Sequence, residues 1–447
     1  MSMSEKAANS TAVLTQESAG VRGWSAVWAG LVRSTPGAVG VVMLLVLALA
    51  CVVTLPWTLG AYTPAGLVWK QMPADQLPAR IEYQERSALR LPPTWVAYDA
   101  GDRARYDALT KQIAERMEAD WLKADAEKVR SGGFVPSADQ LAAARPTYVM
   151  GTDVLGRDVF ARTLAGGAIS LGIGLAAATI SVLLGTMYGA ISGYVGGKVD
   201  DVMMRIVDVL YGLPYVLLVV LLAVASDALI EEMTSKSGLR ERWIRQEATL
   251  VAKERGWAED ARSVSALLDG DAKLRAELES KADAKPELKP TPMSEGARTR
   301  WQIATLLVAI GGVSWLTLAR VVRGQVLSLK AQPFIESARA IGCPVWRVFF
   351  VHLLPNLTGP IVVYATLTVP QAILQESFLS FLGIGVRPPM PSWGNLAADG
   401  LSELNTVQSN WWLLVFPCVM LGLTLLALNL MGEALREMLD PRRGRGR

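Results

Sequence analysis

The chain has 447 residues, 51% of them hydrophobic, and its 44 Lys and Arg against 41 Asp and Glu leave a formal charge of only +3. That net charge says little and its distribution says more, while one histidine with three cysteines argues against a His/Cys metal site. Mean hydropathy is positive, and runs long enough to cross a bilayer, which takes roughly 20 residues, recur along the chain.

In chain order, residues 1 to 20 are polar and rich in Ser and Ala, a tail rather than a core element. GWSAVWAGLVRSTP follows, with Trp24 and Trp28 one helical turn apart, and reads as a helix lying on the membrane surface. The first span is Ala38 to Trp57. It is longer than the ~7–15 apolar residues of a cleaved signal and ends without a small-x-small cleavage site. Residues 60–150 are charged. Within them Tyr106, Leu109, Ile113, Met117 and Trp121, spaced by three and four, predict an amphipathic helix. Ala168 to Tyr194 is the second span. It carries Gly185, Gly189 and Gly193 at a spacing that lets helices approach closely, either within the chain or against another subunit.

Between the second span and the third (Tyr211 to Ala225) lies a short amphipathic helix. Val202, Ile206 and Val209 take one side, and Asp200, Asp201, Arg205 and Asp208 the other. Gly196, Gly197 and Lys198 lack the glycine spacing and the Ser/Thr of a phosphate loop. Residues 226–300 are again charged, with Ile244, Ala248 and Val251 on one helical stripe and Leu267, Leu274 and Leu278 on another before Pro286, Pro290 and Pro292. Two readings stand for this region. It is a solvated helical hairpin, or it packs with residues 60–150 into an external module that meets a soluble partner.

Trp301 to Leu318, Pro360 to Leu382 and Trp411 to Met431 complete six spans. Arg22 and Arg33, then Arg320, Arg323, Lys330, Arg339 and Arg347, then Arg436, Arg442, Arg443, Arg445 and Arg447 mark loops that stay in the cytoplasm. Both termini are therefore expected inside, and both charged insertions outside. The expected fold is an all-α integral membrane protein with two helical periplasmic insertions. Its divisions are residues 1–36 (tail and interfacial helix), 37–58, 59–164, 165–225, 226–300, 301–432 and the basic tail 433–447.

The loop between spans four and five, ESARAIGCPVWRVFFVHLLP, reads as helix, turn, helix. Ile335, Ala338 and Ile341 share one side, and Glu336 and Arg339 another. Gly342 accepts backbone angles that break a helix, Pro344 suits the first turn of the next, and Trp346, Val348, Phe349 and Phe350 need a cover. In span five, Gln371 and Gln375 share a face and are expected to border a polar path near its outer mouth. Glu376 either joins them or sits at the interface bonded to loop backbone. No nucleophile–base pair is evident. His352 lies in the loop, so no Ser–His pair forms inside the membrane.

The loop resembles the EAA loop of ABC importer permeases, with Ser337 in place of an alanine and His352 where the general motif has isoleucine. GTDVLGRDVFAR, SGYVGGKVDDVMMR, VSWLTLARVVRGQVLSLK, QESFLSFLGIG and SWGNLAADG resemble the C-type permease of oligopeptide/dipeptide importers. The resemblance covers about 150–440 and span one, and leaves 226–300 and much of 60–145 unmatched. It implies six transmembrane helices of the ABC importer permease type in a bacterial inner membrane. It implies a transport subunit rather than an enzyme, with loop 334–356 docking on cytoplasmic ATPases through Glu336, Ser337, Ala338 and Gly342. The implied partners are a B-type permease, two ATPases that bind ATP and Mg2+, and an external binding protein. This chain itself would bind no cofactor, metal or nucleic acid. Di- and oligopeptides are the implied cargo, with a nickel chelate as the alternative. A self-contained secondary transporter would need an inverted repeat and embedded carboxylates; no repeat is visible, and Glu376 is the sole carboxylate of that kind.

Overall fold

The structure is a computed structural model. It describes residues 24–439 apart from 61, 63–77, 86–87, 125–136, 138, 140–145, 235–236, 255–260, 286–294 and 405–408. The expected N-terminal tail, the prolines at 286, 290 and 292 and the arginines beyond 439 lie outside the described residues. Among the described residues the secondary structure is helical, with two isolated β-bridges and no strand. That is what lipid demands, since a spanning helix satisfies its backbone groups within the segment. Five helices are long and apolar enough to cross a membrane, and the count reaches six if the bent pair 197–211 and 216–226 is taken as one span.

The chain divides into two compact units, residues 1–214 with 310–447, and residues 215–309. In the first, α1 (Trp24–Arg33) turns at Ser34 into α2 (Thr35–Val53), and α3 (Leu55–Leu59) continues past Thr54, whose hydroxyl bonds the Ala50 carbonyl at 2.6 Å. α4 (Ala100–Ala124) lies in the first charged region. Four members of its predicted stripe, Tyr106, Leu109, Ile113 and Met117, pack on Ala88, Leu91 and Tyr148. Arg116 forks onto Glu85 at 2.7 and 3.1 Å.

α5 (Val159–Val195) and α11 (Glu295–Lys330) are much longer than the predicted spans. At 1.5 Å per residue α5 is about 55 Å long, more than a hydrocarbon core of about 30 Å, so it carries polar residues well past the apolar run. Asp158 caps its start by accepting from the Phe160 amide at 3.0 Å. The glycine stripe resolves as packing within the chain. A Cβ at Gly185 would meet the Trp315 carbonyl at 2.8 Å, one at Gly189 the Ala319 carbonyl at 2.2 Å, and one at Gly193 the Arg323 carbonyl at 2.9 Å. Three glycines thus let α5 and the second half of α11 touch backbone to backbone.

α6 (Gly197–Tyr211) keeps the predicted two faces. Val202, Ile206 and Val209 are exposed, as an interfacial helix requires. On the polar side, Asp200 takes a two-pronged bond from Arg323 at 2.5 Å each and a further one from the Ser192 hydroxyl, while Asp208 pairs with Arg320 at 2.8 Å. α12 (Pro333–Ala340) leads through the short turn Val345–Arg347 and a π-helical stretch, Val348–Leu353, into α13 (Leu354–Phe381). α14 (Trp393–Ser402) and α15 (Trp412–Leu439) follow. α2 runs antiparallel to α15: a Cβ at Gly40 would meet the Ala427 carbonyl at 2.8 Å, and Cys51 further along α2 clusters with Met420 and Leu421 earlier on α15.

In the second unit, α7 (Tyr215–Thr234) is followed by α8 (Ser237–Glu254), α9 (Ala261–Gly270) and α10 (Ala272–Asp283). Ile244, Ala248, Ala252, Val264, Leu267, Leu268, Leu274, Leu278 and Ala282 form one buried cluster. The two predicted stripes therefore cover each other. The ion pairs Arg245–Glu241, Arg275–Glu279 and Lys281–Glu277 stay on the outside. Ser226 accepts from the Trp301 indole at 2.9 Å within the same unit.

Candidate functional site

The loop between α11 and α13 is built on a helix that stops abruptly. Pro333 starts α12 without needing an amide partner. At its end the Gly342 amide donates to the Arg339 carbonyl and the Cys343 amide to the Ala338 carbonyl, both at 3.0 Å. This is the Schellman arrangement, and it requires a left-handed residue after the cap; Gly342 supplies it with φ of 77°. Pro344 is the residue before the next turn rather than inside it, its carbonyl accepting from the Arg347 and Val348 amides.

The loop has a fastened face and an open one. Ile335, Ala338, Val348, Leu353 and Leu357 are buried with Leu318, Val322 and Val326 of α11 and Ala190 of α5. Arg339 lies over the Tyr194 ring at 4.9 Å, and Lys330 donates to the Tyr194 carbonyl at 2.7 Å. The first contact ties the loop, and the second the end of α11, to the end of α5. The open face corrects one expectation. Ile341 does not join Ile335 and Ala338 inside but is 80% exposed, because six residues on from Ile335 a helix places it about 120° round, just past the end of α12. Trp346 and Phe350 are exposed with it, whereas Val348 is buried and Phe349 half-buried. Glu336, Ser337 and Gly342 are exposed on the surface, and Ala338 is in the core. The result is an apolar crown, Ile341, Val345, Trp346 and Phe350, on a rigid base. An exposed patch of this kind marks an interaction site.

The polar residues of α13 separate. Gln371 is exposed, and Gln375 is half-buried, its side-chain oxygen accepting from Ser314 of α11 at 3.3 Å. Glu376 departs from both expectations, since it is 0% exposed and bonds neither path nor loop backbone. Its carboxylate accepts from Ser380 at 2.7 Å and Ser377 at 3.3 Å on its own helix, and from Ser170 of α5 and Ser392 before α14. Ser170 also accepts from the Trp393 amide at 3.3 Å, and the Trp393 indole donates to the Thr163 carbonyl at 3.0 Å. The carboxylate is a fastener between α13, α5 and α14. Its helix-mates at one and four residues along were visible in sequence. Ser170 and Ser392 were not, because they come from other elements.

Two further clusters join charged residues, the first within the segment GTDVLGRDVFAR and the second between residues far apart in sequence. Asp153 accepts from Arg157 at 2.7 Å and from the buried Arg162 at 2.5 Å. Arg90 forks onto Glu403 at 2.7 and 3.2 Å across 313 residues, and Asn410 adds a third bond. These bonds hold the Glu403 carboxyl below the usual carboxylate range. Among the described residues no group of three His, Cys, Asp or Glu side chains could hold a metal ion.

Apolar helices long enough to cross a membrane, joined by a loop with one buried and one exposed face, define a multi-pass membrane protein. The chain belongs to the family of binding-protein-dependent transport system inner membrane components, which matches residues 181–445. It is 36% identical over 307 residues to the dipeptide transport system permease protein DppC of Bacillus subtilis, covering 69% of this chain and 70% of that one. It is 37% identical over 306 residues to the oligopeptide transport system permease protein OppC of Haemophilus influenzae, covering 68% and 74%. A glutathione transport system permease protein, GsiD of Pectobacterium atrosepticum, is 30% identical over 293 residues, 66% of this chain and 72% of that one. The chain is thus a multi-pass inner-membrane protein of this transport class.

Proposed function

We propose that the chain is the permease subunit of an ATP-driven importer of di- and oligopeptides, paired with a second permease and driven by two cytoplasmic ATPases that hydrolyse the ATP. The observation that carries this reading is the two-faced loop. A partner that covers Ile341, Val345, Trp346 and Phe350 gains about 1.5–3 kcal/mol for each large apolar side chain fully buried. It then pushes on a base continuous with α5 and α11. The hydrolase docks on the crown, Glu336 and Ser337 rim it, Ala338 anchors it and Gly342 sets its shape. In this topology both termini lie in the cytoplasm, and the charged regions 60–150 and 226–300 face outward toward an external binding protein.

The names of the relatives above, dipeptide, oligopeptide and glutathione, share peptide bonds as their cargo chemistry, which favours peptides over a nickel chelate. Gln371 and Gln375 border the path, while Glu376 braces it from behind. Reconstitution with the second permease, the ATPases and the binding protein tests the proposal. Ile341→Asp with Trp346→Asp is expected to abolish both ATP-dependent uptake of a labelled tripeptide and co-purification of the ATPases. Continued uptake with the ATPases still bound would rule the docking loop out. In the same preparation Gln371→Cys should react with a water-soluble thiol reagent and be shielded by substrate; no labelling in any state removes it from the path.

A further inference from the structure

One end of the last span carries an aromatic group that the transport reading leaves unused. Trp411 stands just before α15 and Phe416 one turn into it. Trp95, remote in sequence, meets both edge-to-face, with ring centroids 6.4 Å from Trp411 and 6.5 Å from Phe416. Its indole N–H donates to the Val149 carbonyl at 2.8 Å, so its polar edge is satisfied within the protein, yet the residue is 64% exposed. Val149 beside it is exposed too. From Phe416 the patch runs into Val415, Val419, Leu423 and Leu426, all exposed at helical spacing on one face of α15. Exposed Cys418 and Gly422 lie beside that row and no charged or amide side chain interrupts it, in contrast to the exposed face of α13, where Gln371 interrupts Leu367, Leu374 and Phe378.

We propose that this cluster is a lipid contact, with Trp95 and Trp411 at headgroup level, so that the extramembranous segment around Trp95 rests on the bilayer. Three observations favour lipid over a protein cover. The face is apolar below, Val415, Val419, Leu423 and Leu426 with Cys418 beside them, and aromatic at its end, the distribution an interfacial belt shows. The antiparallel register of α2 on α15 puts a second exposed tryptophan, Trp57, level with the start of α15, and the Arg80 guanidinium lies over it at 4.0 Å. At the other end, exposed Trp28 lies on α1, where Gly30 abuts Met438 of α15. The helix rise from Trp412 to Met438 is about 39 Å, close to the ~40–45 Å of a bilayer with its headgroups. The tryptophans therefore mark both interfaces, and Trp95 is the one contributed by a segment that no span adjoins in sequence.

The test uses the full chain in phosphatidylcholine nanodiscs whose acyl chains carry bromine near the glycerol, near the methyl end, or nowhere. The emission of Trp95 is taken as wild type minus Trp95→Phe. Shallow bromine is expected to remove roughly half of that share and deep bromine less, as an interfacial indole requires, with aqueous iodide having little effect. Quenching by iodide with no response to either lipid would place the ring in water and overturn the proposal. Protection from both quenchers means a protein cover and overturns it as well. A nitroxide at Val149→Cys, with the native cysteines replaced by serine, reports the same surface without altering Trp95. Collisions with oxygen are expected to exceed those with a water-soluble nickel chelate, and the reverse order overturns the lipid contact.

Discussion

The α11–α13 loop and the α8–α10 bundle are both helical and both charged in sequence, and they treat their apolar residues in opposite ways. The bundle turns Ile244, Ala248, Leu267, Leu274 and Leu278 onto one another and shows solvent its ion pairs. The loop buries one apolar face on the spans and leaves Ile341, Trp346 and Phe350 uncovered. A segment that completes its own core can fold without a partner. A segment that keeps half its apolar surface open is incomplete until something covers it. The difference predicts where damage travels: out of the loop into transport, but no further than the bundle itself.

The largest effect is expected at Gly342. Proline there removes the amide that bonds Arg339 and cannot adopt a φ of 77°, a cost of about 3 kcal/mol or more and about a hundredfold loss of uptake. The protein should still fractionate with the membrane. Gly342→Ala separates shape from hydrogen bonding. A Cβ there meets nothing within 4 Å, so only the left-handed backbone, about 1–2 kcal/mol, is charged against uptake. Equal uptake by the two variants and wild type would break the comparison.

Next comes Leu274→Ala in the bundle, expected to cost about 2–3 kcal/mol of local stability. Hydrogen exchange should speed up across 237–283 while peptide uptake holds. A parallel fall in uptake would show that the bundle is no bystander.

The smallest effect concerns Glu403. Because Arg90 holds its carboxyl below the ordinary range, the pair adds stability above the unfolded value near 4.3 and loses it as pH falls through the lowered folded value. Arg90 is partly exposed, so the pair is worth about 0.5–1 kcal/mol. Glu403→Gln should lower the melting temperature slightly at neutral pH and flatten its fall on acidification below about 4.3. An unchanged acid limb would assign that fall to another carboxylate.

What was legible in the sequence was local. The stripe of α4, the two faces of α6 and the stop at Gly342 all depend on neighbours within a turn or two, and periodicity reports those. The exposure of Ile341 escapes the simple three-residue rule: each such step falls about 60° short of a full turn, so two of them carry Ile341 about 120° from Ile335, where α12 has already ended. Glu376 was misread for a different reason. A carboxylate in a span implies water or a partner, but four hydroxyls can enclose it, and two of the four arrive from α5 and the approach to α14. Span lengths were underestimated because hydropathy measures the lipid-facing stretch, whereas α5 continues as a helix under Asp158 capping and polar packing at its end.

That length has a mechanical meaning. One end of α5 bears Arg162, locked onto Asp153, and the other bears Tyr194, beneath Arg339 of the loop. The close glycine contacts with α11 lie between the two, toward the Tyr194 end. A stiff rod pivoting near Gly189 would have an arm of about 8 Å to Tyr194 and about 40 Å to Arg162. A tilt of about 5° would then move the loop end by less than about 1 Å and the Asp153 end by about 3.5 Å, so a small push at one surface would be enlarged at the other.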